Sequence, residues 1–168
     1  MKLKNFFKNL KKEFNNKSFK GFEFNSKKIK KNYIFFAIKG NKFNGNNFIN
    51  DAIKKGASVV VSNKFKTGIK KKIIYIKVDD ARSALSNFAT KYYYRKPKNI
   101  IAVTGTNGKS SIANFYYQIL NLNNKRAATI GTLGVRSKEI NFDLSNTTID
   151  PIYLGQILKK LKKQKIEN

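Results

Sequence analysis

The chain has 168 residues, 40% hydrophobic and 13% aromatic, enough apolar material for a buried core but too short for a large multidomain machine. It carries 36 Lys or Arg against 9 Asp or Glu, a formal charge of +27, and it has no Cys and no His. Those absences exclude disulfide frameworks, zinc sites of the usual ligand types, and His or Cys nucleophile relays within these residues.

Leu3, Phe6, Phe7, Leu10 and Phe14 recur at helical spacing among Lys4, Lys8, Lys11 and Lys12. They predict an amphipathic helix, packed on its own domain or laid on an anionic membrane surface. Gly21 to Phe24 and Tyr33 to Ile38 read as strands, and Gly40 to Asn47 is a Gly/Asn-rich turn segment. Phe48, Ile49, Ala52 and Ile53 fit a helix stopped by Gly56. Ser58 to Val61 and Ile73 to Val78 are β-branched strands, and Asp79 or Asp80 caps a helix carrying Ala81, Ala84, Leu85, Phe88, Ala89 and Tyr92 to about Tyr94.

Pro97, within Tyr94-Arg95-Lys96-Pro97-Lys98, ends helical structure and marks a boundary. The expected organisation is a small N-terminal α/β domain over residues 1–95, a linker over 96–99, and the start of a second, mainly parallel α/β domain over 100–168. Asn99 to Val103 is an apolar run without alternation, as expected of a strand covered on both faces. The glycine loop Thr104 to Ser111 leads into a helix carrying Ile112, Phe115, Tyr116, Ile119 and Leu120. Ala127 to Ile130 reads as a further strand. Asn146-Thr147-Thr148-Ile149-Asp150-Pro151 opens a last helix with Leu154, Ile157, Leu158 and Leu161 on its apolar face. No apolar run reaches the roughly 18 residues of a membrane span, and the N-terminus lacks a signal peptide's apolar stretch, so the chain reads as cytoplasmic.

The charge admits two readings. Lysines release counterions from phosphates and give non-specific nucleic-acid affinity. Yet Arg82, Arg95, Arg126 and Arg136 are the only arginines, so Lys supplies 32 of the 36 positive charges, and the chain is also crowded with Asn, Ile, Phe and Tyr. AT-rich codons encode these residue types, so genome composition accounts for most of the excess. Arg makes the better bidentate contacts, and its scarcity argues against a specific nucleic-acid partner. Residues 1–98 carry +21 and residues 99–168 carry +6.

Strand, glycine loop, Gly108-Lys109-Ser110 and helix is the order a P-loop requires. Glycines let backbone N–H groups curl around phosphate oxygens, and the helix N-terminus adds partial positive charge. Lys109 reaches the outer phosphates, and the Ser110 hydroxyl ligates Mg²⁺. The strict spacing places another glycine where Val103 stands, which leaves open a Gly-rich turn with an incidental Gly-Lys-Ser.

The variant Thr104-Gly105-Thr106-Asn107-Gly108-Lys109-Ser110 resembles the loop of the Mur ligases and the related folylpolyglutamate synthetases. Three further blocks resemble the MurE branch of the Mur ligases: Asn25-Ser26-Lys27 with Ile34 to Gly40; Asn44 to Ile49 with Ala52 and Gly56-Ala57; and Ile130 to Gly134 with Asn146-Thr147-Thr148. Asn25 stands where the family has Asp, Lys27 where it has Arg, and Lys31-Asn32 where it usually has Gly-Asp.

The resemblance implies an ATP-dependent, amide-forming ligase of peptidoglycan synthesis, joining diaminopimelate or lysine to UDP-N-acetylmuramoyl-L-alanyl-D-glutamate through an acyl phosphate. It implies a monomer, with ATP and Mg²⁺ as cofactors. ATP would lie on Gly105, Thr106, Asn107, Gly108, Lys109, Ser110 and Ser111, with Lys109 catalytic and Ser110 on Mg²⁺. The UDP part would meet Phe24, Ser26, Asn41, Lys42 and Phe43, and the sugar dipeptide would meet Asn146, Thr147 and Thr148. Thr147 and Thr148 also read as helix-capping residues. The family has three domains and this chain stops inside the second, so these residues alone are expected to be inactive. A MurF-like ligase or a basic P-loop nucleotide-binding protein is the alternative.

Overall fold

The computed structural model describes residues 1–7, 10–40, 43–144 and 148–168. They divide into two compact units, Met1–Tyr92 and Tyr93–Asn168.

In the first unit, the N-terminal stretch does not form the continuous helix that its periodicity predicts. It makes a 3-10 turn at Leu3–Asn5 and a short helix α1, Lys12–Asn15. The chain then returns, so that Lys2 pairs antiparallel with Ser18 and Leu3 N donates to Lys17 O at 3.0 Å. Leu3 and Phe14 are both fully buried. Burying both ends of the segment outweighs the weak helical preference of a short isolated run. Phe6 stacks on Phe88 with ring centroids 4.3 Å apart, so the apolar stripe packs on its own domain.

The remaining elements of this unit are β1 (Gly21–Glu23), β2 (Tyr33–Phe36), α2 (Ile49–Lys54), β3 (Ala57–Ser62), β4 (Gly68–Lys70), β5 (Ile73–Lys77) and α3 (Ala81–Tyr92). They build one sheet in the order β1-β2-β3-β5-β4. All its pairings are parallel except that of the edge strand β4 with β5. Val59, Val60 and Val61 of β3 are all fully buried, because both faces of the central strands are covered. Phe35 and Val60 pack with Ile49 and Ala52 of α2 on one face. Alternation turns Phe36 to the other face, where its ring lies 5.4 Å from Phe88 of α3. Asp80 caps α3, accepting from Arg82 N at 2.8 Å and Ser83 N at 3.2 Å.

Strand β4 is absent from the sequence reading. Its hairpin turns on Lys71 and Lys72 at φ +49° and +66°, where a hairpin usually signals itself by Asn-Gly or Asp-Gly. With Ile69 more than half exposed, this edge lacks the apolar alternation that reveals a strand.

The second unit holds α4 (Lys109–Leu122), β6 (Ala128–Gly131), β7 (Gly134–Ser137), β8 (Asn141–Phe142) and α5 (Pro151–Lys163). The sheet β6-β7-β8 is antiparallel, unlike the parallel sheet expected here. Val135, Ile140, Ile157, Leu161 and Ile166 form its core. Asp150 caps α5 by accepting from Ile152 N and Tyr153 N, and Pro151 opens the helix with φ already set. Gly155 sits mid-helix because the ring of Tyr93 lies where a Cβ would be, 2.2 Å from its Cδ2.

The strand predicted at Asn99 to Val103 does not form. Ile100 and Ile101 are 52% and 61% exposed, and the backbone bond at this segment's start is Asn99 N to Glu167 O at 2.8 Å. Ala128 N meanwhile donates to Asn168 O at 3.0 Å. Residues 167 and 168 therefore bond to the starts of the 99–103 segment and of β6. An apolar run becomes a strand only when a neighbour supplies a full hydrogen-bond ladder, and here the ladder stops at its first rung.

Candidate functional site: a glycine loop at the head of an uncapped helix

Of the three long helices among the described residues, two are sealed at their N-termini by an aspartate, Asp80 for α3 and Asp150 for α5. Helix α4 begins differently. Its N-cap is Gly108 in the left-handed region at φ +78°, with no side chain capping the first turn, and Gly105 lies at φ +146°. A residue with a Cβ is strained at either angle. A helix start without a carboxylate leaves its N–H groups and dipole available to an anion.

Lys109 folds back across this loop, donating from Nζ to Gly105 O at 2.6 Å and to Thr106 O at 2.8 Å. The ammonium is thereby held over the glycine turn, with neutral oxygens as partners that a phosphate oxygen can replace to advantage. Ser110 Oγ lies 2.9 Å from Thr132 Oγ1. All of Thr104 to Ser111 is exposed.

Lys109, Ser110, Thr132 and Thr148 line one cleft of about 780 Å³, whose remaining walls are largely apolar and include Ile101, Ile112 and Leu158. The structure thus brings the expected nucleotide residues Lys109 and Ser110 together with Thr148, expected on the substrate side. Asn146 and Thr147 lie outside the described residues. Among the described residues no three His, Cys, Asp or Glu gather as metal ligands. Ser110 is consistent with Mg²⁺ all the same, because that ion keeps several waters and is held mainly by phosphate oxygens with one or two protein groups.

The residues expected to meet the uridine part follow the carboxyl ends of β1 and β2, the edge where open parallel sheets bind ligands. Phe24 is 37% and Phe43 72% exposed, whereas Ser26 is buried at 6%. Asn25 accepts from Lys27 N at 2.9 Å and caps the turn that carries Ser26. The Ser26 hydroxyl hydrogen-bonds Asp51 and, with Lys55, holds that carboxyl below its ordinary range. Asn41 and Lys42 lie outside the described residues. At the same edge the buried Ser62 hydroxyl donates to Asn46 Oδ1 at 2.7 Å, and Asn46 Nδ2 donates to Asn63 Oδ1 at 3.3 Å. Sequence reasoning missed this clamp, since its partners are 16 and 17 residues apart. Thr132 had only its place in Gly131-Thr132-Leu133-Gly134 to mark it.

Comparison with known proteins decides the family. Residues 18–93 match the model of the Mur ligase family catalytic domain, and residues 103–168 match the Mur ligase middle domain. The chain belongs to the Mur ligase family. It is 43% identical over 164 residues to a Rickettsia felis protein named UDP-N-acetylmuramoyl-L-alanyl-D-glutamate–2,6-diaminopimelate ligase, covering 95% of this chain and 31% of that protein. A Mesorhizobium japonicum protein of the same name is 38% identical over 141 residues, 84% of this chain and 29% of that protein. A solved structure of a ligase of that name superposes with a TM-score of 0.72 at 27% identity, over 92% of this chain and 31% of that one. The chain spans about a third of the length of these Mur ligase relatives. Among the described residues no helix is long and apolar enough to cross a membrane.

Proposed function

We propose that these residues are the front third of a cytoplasmic, monomeric ligase that uses ATP and Mg²⁺ to join 2,6-diaminopimelate to UDP-N-acetylmuramoyl-L-alanyl-D-glutamate. In this reading residues 1–95 hold the UDP end of the substrate, 96–99 link, and 100–168 begin the ATP-binding domain. The observation that carries it is the uncapped start of α4 with Lys109 poised over the glycine turn, in a chain 43% identical to a ligase of that name.

The N–H groups of residues 105–111 receive the phosphates, and Lys109 exchanges its two carbonyl partners for phosphate oxygens. When bound, Mg²⁺ supplies charge neutralisation on the phosphate oxygens, and the Ser110 hydroxyl is its protein contact. The substrate's terminal carboxylate takes the γ-phosphoryl group as ADP leaves, and the incoming amine then attacks the acyl carbon, losing a proton and displacing phosphate to leave the amide. The chain's own part is positioning and electrostatic stabilisation. Phe24, Ser26 and Phe43, with Asn41 and Lys42, meet the uridine diphosphate, and Thr148, with Asn146 and Thr147, meets the sugar dipeptide. The exposed apolar walls of the 780 Å³ cleft pack against the remainder of the ligase.

Calorimetric titration of the chain with ADP and Mg²⁺ tests the nucleotide site. Saturable binding is expected, with Lys109→Ala weakening it roughly 10- to 100-fold, the loss of charge-assisted hydrogen bonds. No binding by the unsubstituted chain sinks the phosphate-loop reading. A chimera in which this chain replaces the matching third of the Rickettsia felis relative tests the ligase, read as ADP release that requires both the UDP-sugar dipeptide and diaminopimelate.

A further inference from the structure

We infer that Thr132 is a positioning residue for the phosphate loop, its hydroxyl fixing the direction of the Ser110 hydroxyl. The inference rests on the nucleotide reading above. Thr132 and Leu133 are the two-residue turn between β6 and β7, closed by the pair Gly131 and Gly134. Thr132 is itself exposed, so burial within the hairpin does not account for its hydroxyl. The polar partner at the tip is instead Ser110 Oγ, at 2.9 Å, supplied by the first turn of α4 from 22 positions earlier.

The turn that presents this hydroxyl is braced. Gly134 lies at φ +91°, and a Cβ there would come within 2.4 Å of Phe142 O, so β7 leaves the tip pressed against β8. Arg136 ties the same strands, donating from one guanidinium nitrogen to Phe142 O at 3.0 Å and from the other to Asp143 at 2.5 Å. A hairpin held in this way can place an oxygen within a few tenths of an ångström.

A serine hydroxyl has one proton and two lone pairs, and it rotates to suit its neighbours. To serve a cation held on phosphate oxygens, Ser110 must turn a lone pair toward it and its proton away. Thr132 Oγ1 is the acceptor that takes that proton, so a bound cation selects the arrangement in which Ser110 donates and Thr132 accepts. Without Thr132 the proton is free to point into the cation's place, and part of the binding free energy goes into ordering the rotor.

The test compares Thr132→Val, which keeps the shape and loses the hydroxyl, with Thr132→Ser, which keeps the hydroxyl. Mn²⁺ serves as a paramagnetic probe titrated in the presence of ADP, alongside ADP alone and thermal unfolding. Thr132→Val should weaken Mn²⁺ binding about tenfold, the usual effect of removing a group that orients a metal ligand. It should leave metal-free ADP affinity and the melting temperature unchanged, and Thr132→Ser should restore Mn²⁺ binding. In the Ser110→Ala background, Thr132→Val should add no further loss. Unchanged Mn²⁺ affinity in Thr132→Val, with normal ADP binding by the parent chain, overturns the inference alone. A joint fall of melting temperature and metal-free ADP affinity in Thr132→Val makes Thr132 a structural residue and also overturns it. Failure of the parent chain to bind ADP removes the phosphate-loop reading and this inference with it.

Discussion

The two units solve the same problem to different extents. Met1–Tyr92 covers both faces of its parallel sheet with its own helices and N-terminal segment, leaving Val59, Val60 and Val61 without exposure. Tyr93–Asn168 covers one side of its antiparallel hairpins with α5, while Ile100, Ile101, Ile112, Phe115 and Ile119 remain more than half exposed. An apolar run and an amphipathic helix are promises of burial that a neighbour must keep. The first unit contains those neighbours, and the described residues of the second do not. The glycine loop proposed to bind nucleotide stands in the less enclosed unit, so a stable fold and the proposed chemistry draw on different parts of the chain.

The sharpest way to break this comparison is to open the closed unit. Phe88 contacts the rings of Phe6, Phe22, Phe36 and Tyr92, so Phe88→Ala should cost about 3–5 kcal/mol, read as lost hydrogen-exchange protection at β2, β3 and β5. Protection surviving intact would mean that the aromatic cluster does not hold the sheet.

In the second unit, Gly155→Ala sets helix propensity against packing. Alanine gains about 1 kcal/mol in the helix. Its Cβ would meet the Tyr93 ring at 2.2 Å, and overpacking of that kind costs about 1–3 kcal/mol, so net destabilisation is expected in a denaturant melt. Ile101→Ser with Ile112→Ser should change stability by less than about 0.5 kcal/mol each while lowering dye binding to exposed apolar surface. A cost of several kcal/mol would mean that these side chains are already covered.

The smallest effect is on acid stability. Asp80 is held below its ordinary 3.8 by the Ser83 hydroxyl and the Arg82 N–H, and Asp51 by the Ser26 hydroxyl and Lys55. Glu167 is held below 4.5 by Lys162 and the Lys98 N–H. Lowered folded values stabilise the fold above the ordinary values, and that contribution is lost as pH falls through them. With no His to titrate, unfolding midpoints should stay flat between about pH 5 and 7 and decline below about pH 4. Amide exchange at Asn99, whose N–H meets Glu167 O, should rise in acid before that of β3. A decline centred near pH 6 would contradict this assignment.

The helices α3 and α5 were legible from apolar residues at helical spacing, α3 with its aspartate cap as well. The cap of α5 is Asp150 and not the expected Thr147 or Thr148, because only Asp150 directly precedes Pro151 and accepts from Ile152 N and Tyr153 N. The cores of β1, β2, β3 and β5 were legible as short β-branched or aromatic runs. The N-terminal helix was misread, since its spacing fits both a helix and two turns that bury Leu3 and Phe14 from opposite ends. β7 and β8 passed unread, the one polar apart from Val135 and the other two residues long.

The glycine loop and the helix after it were legible without the fold, because glycine backbone freedom, a lysine and a helix start are contiguous in the chain. The sequence by itself determined this loop, the Asp80 cap and the family, all written in neighbouring residues. Tertiary structure alone decided which apolar segments find partners, bringing Asn46 to Ser62 and Thr132 to Ser110 while leaving Asn99 to Val103 outside any sheet. The reason is that hydrogen-bond ladders and hydroxyl pairs form between distant residues, and local propensity carries no information about who the distant partner will be.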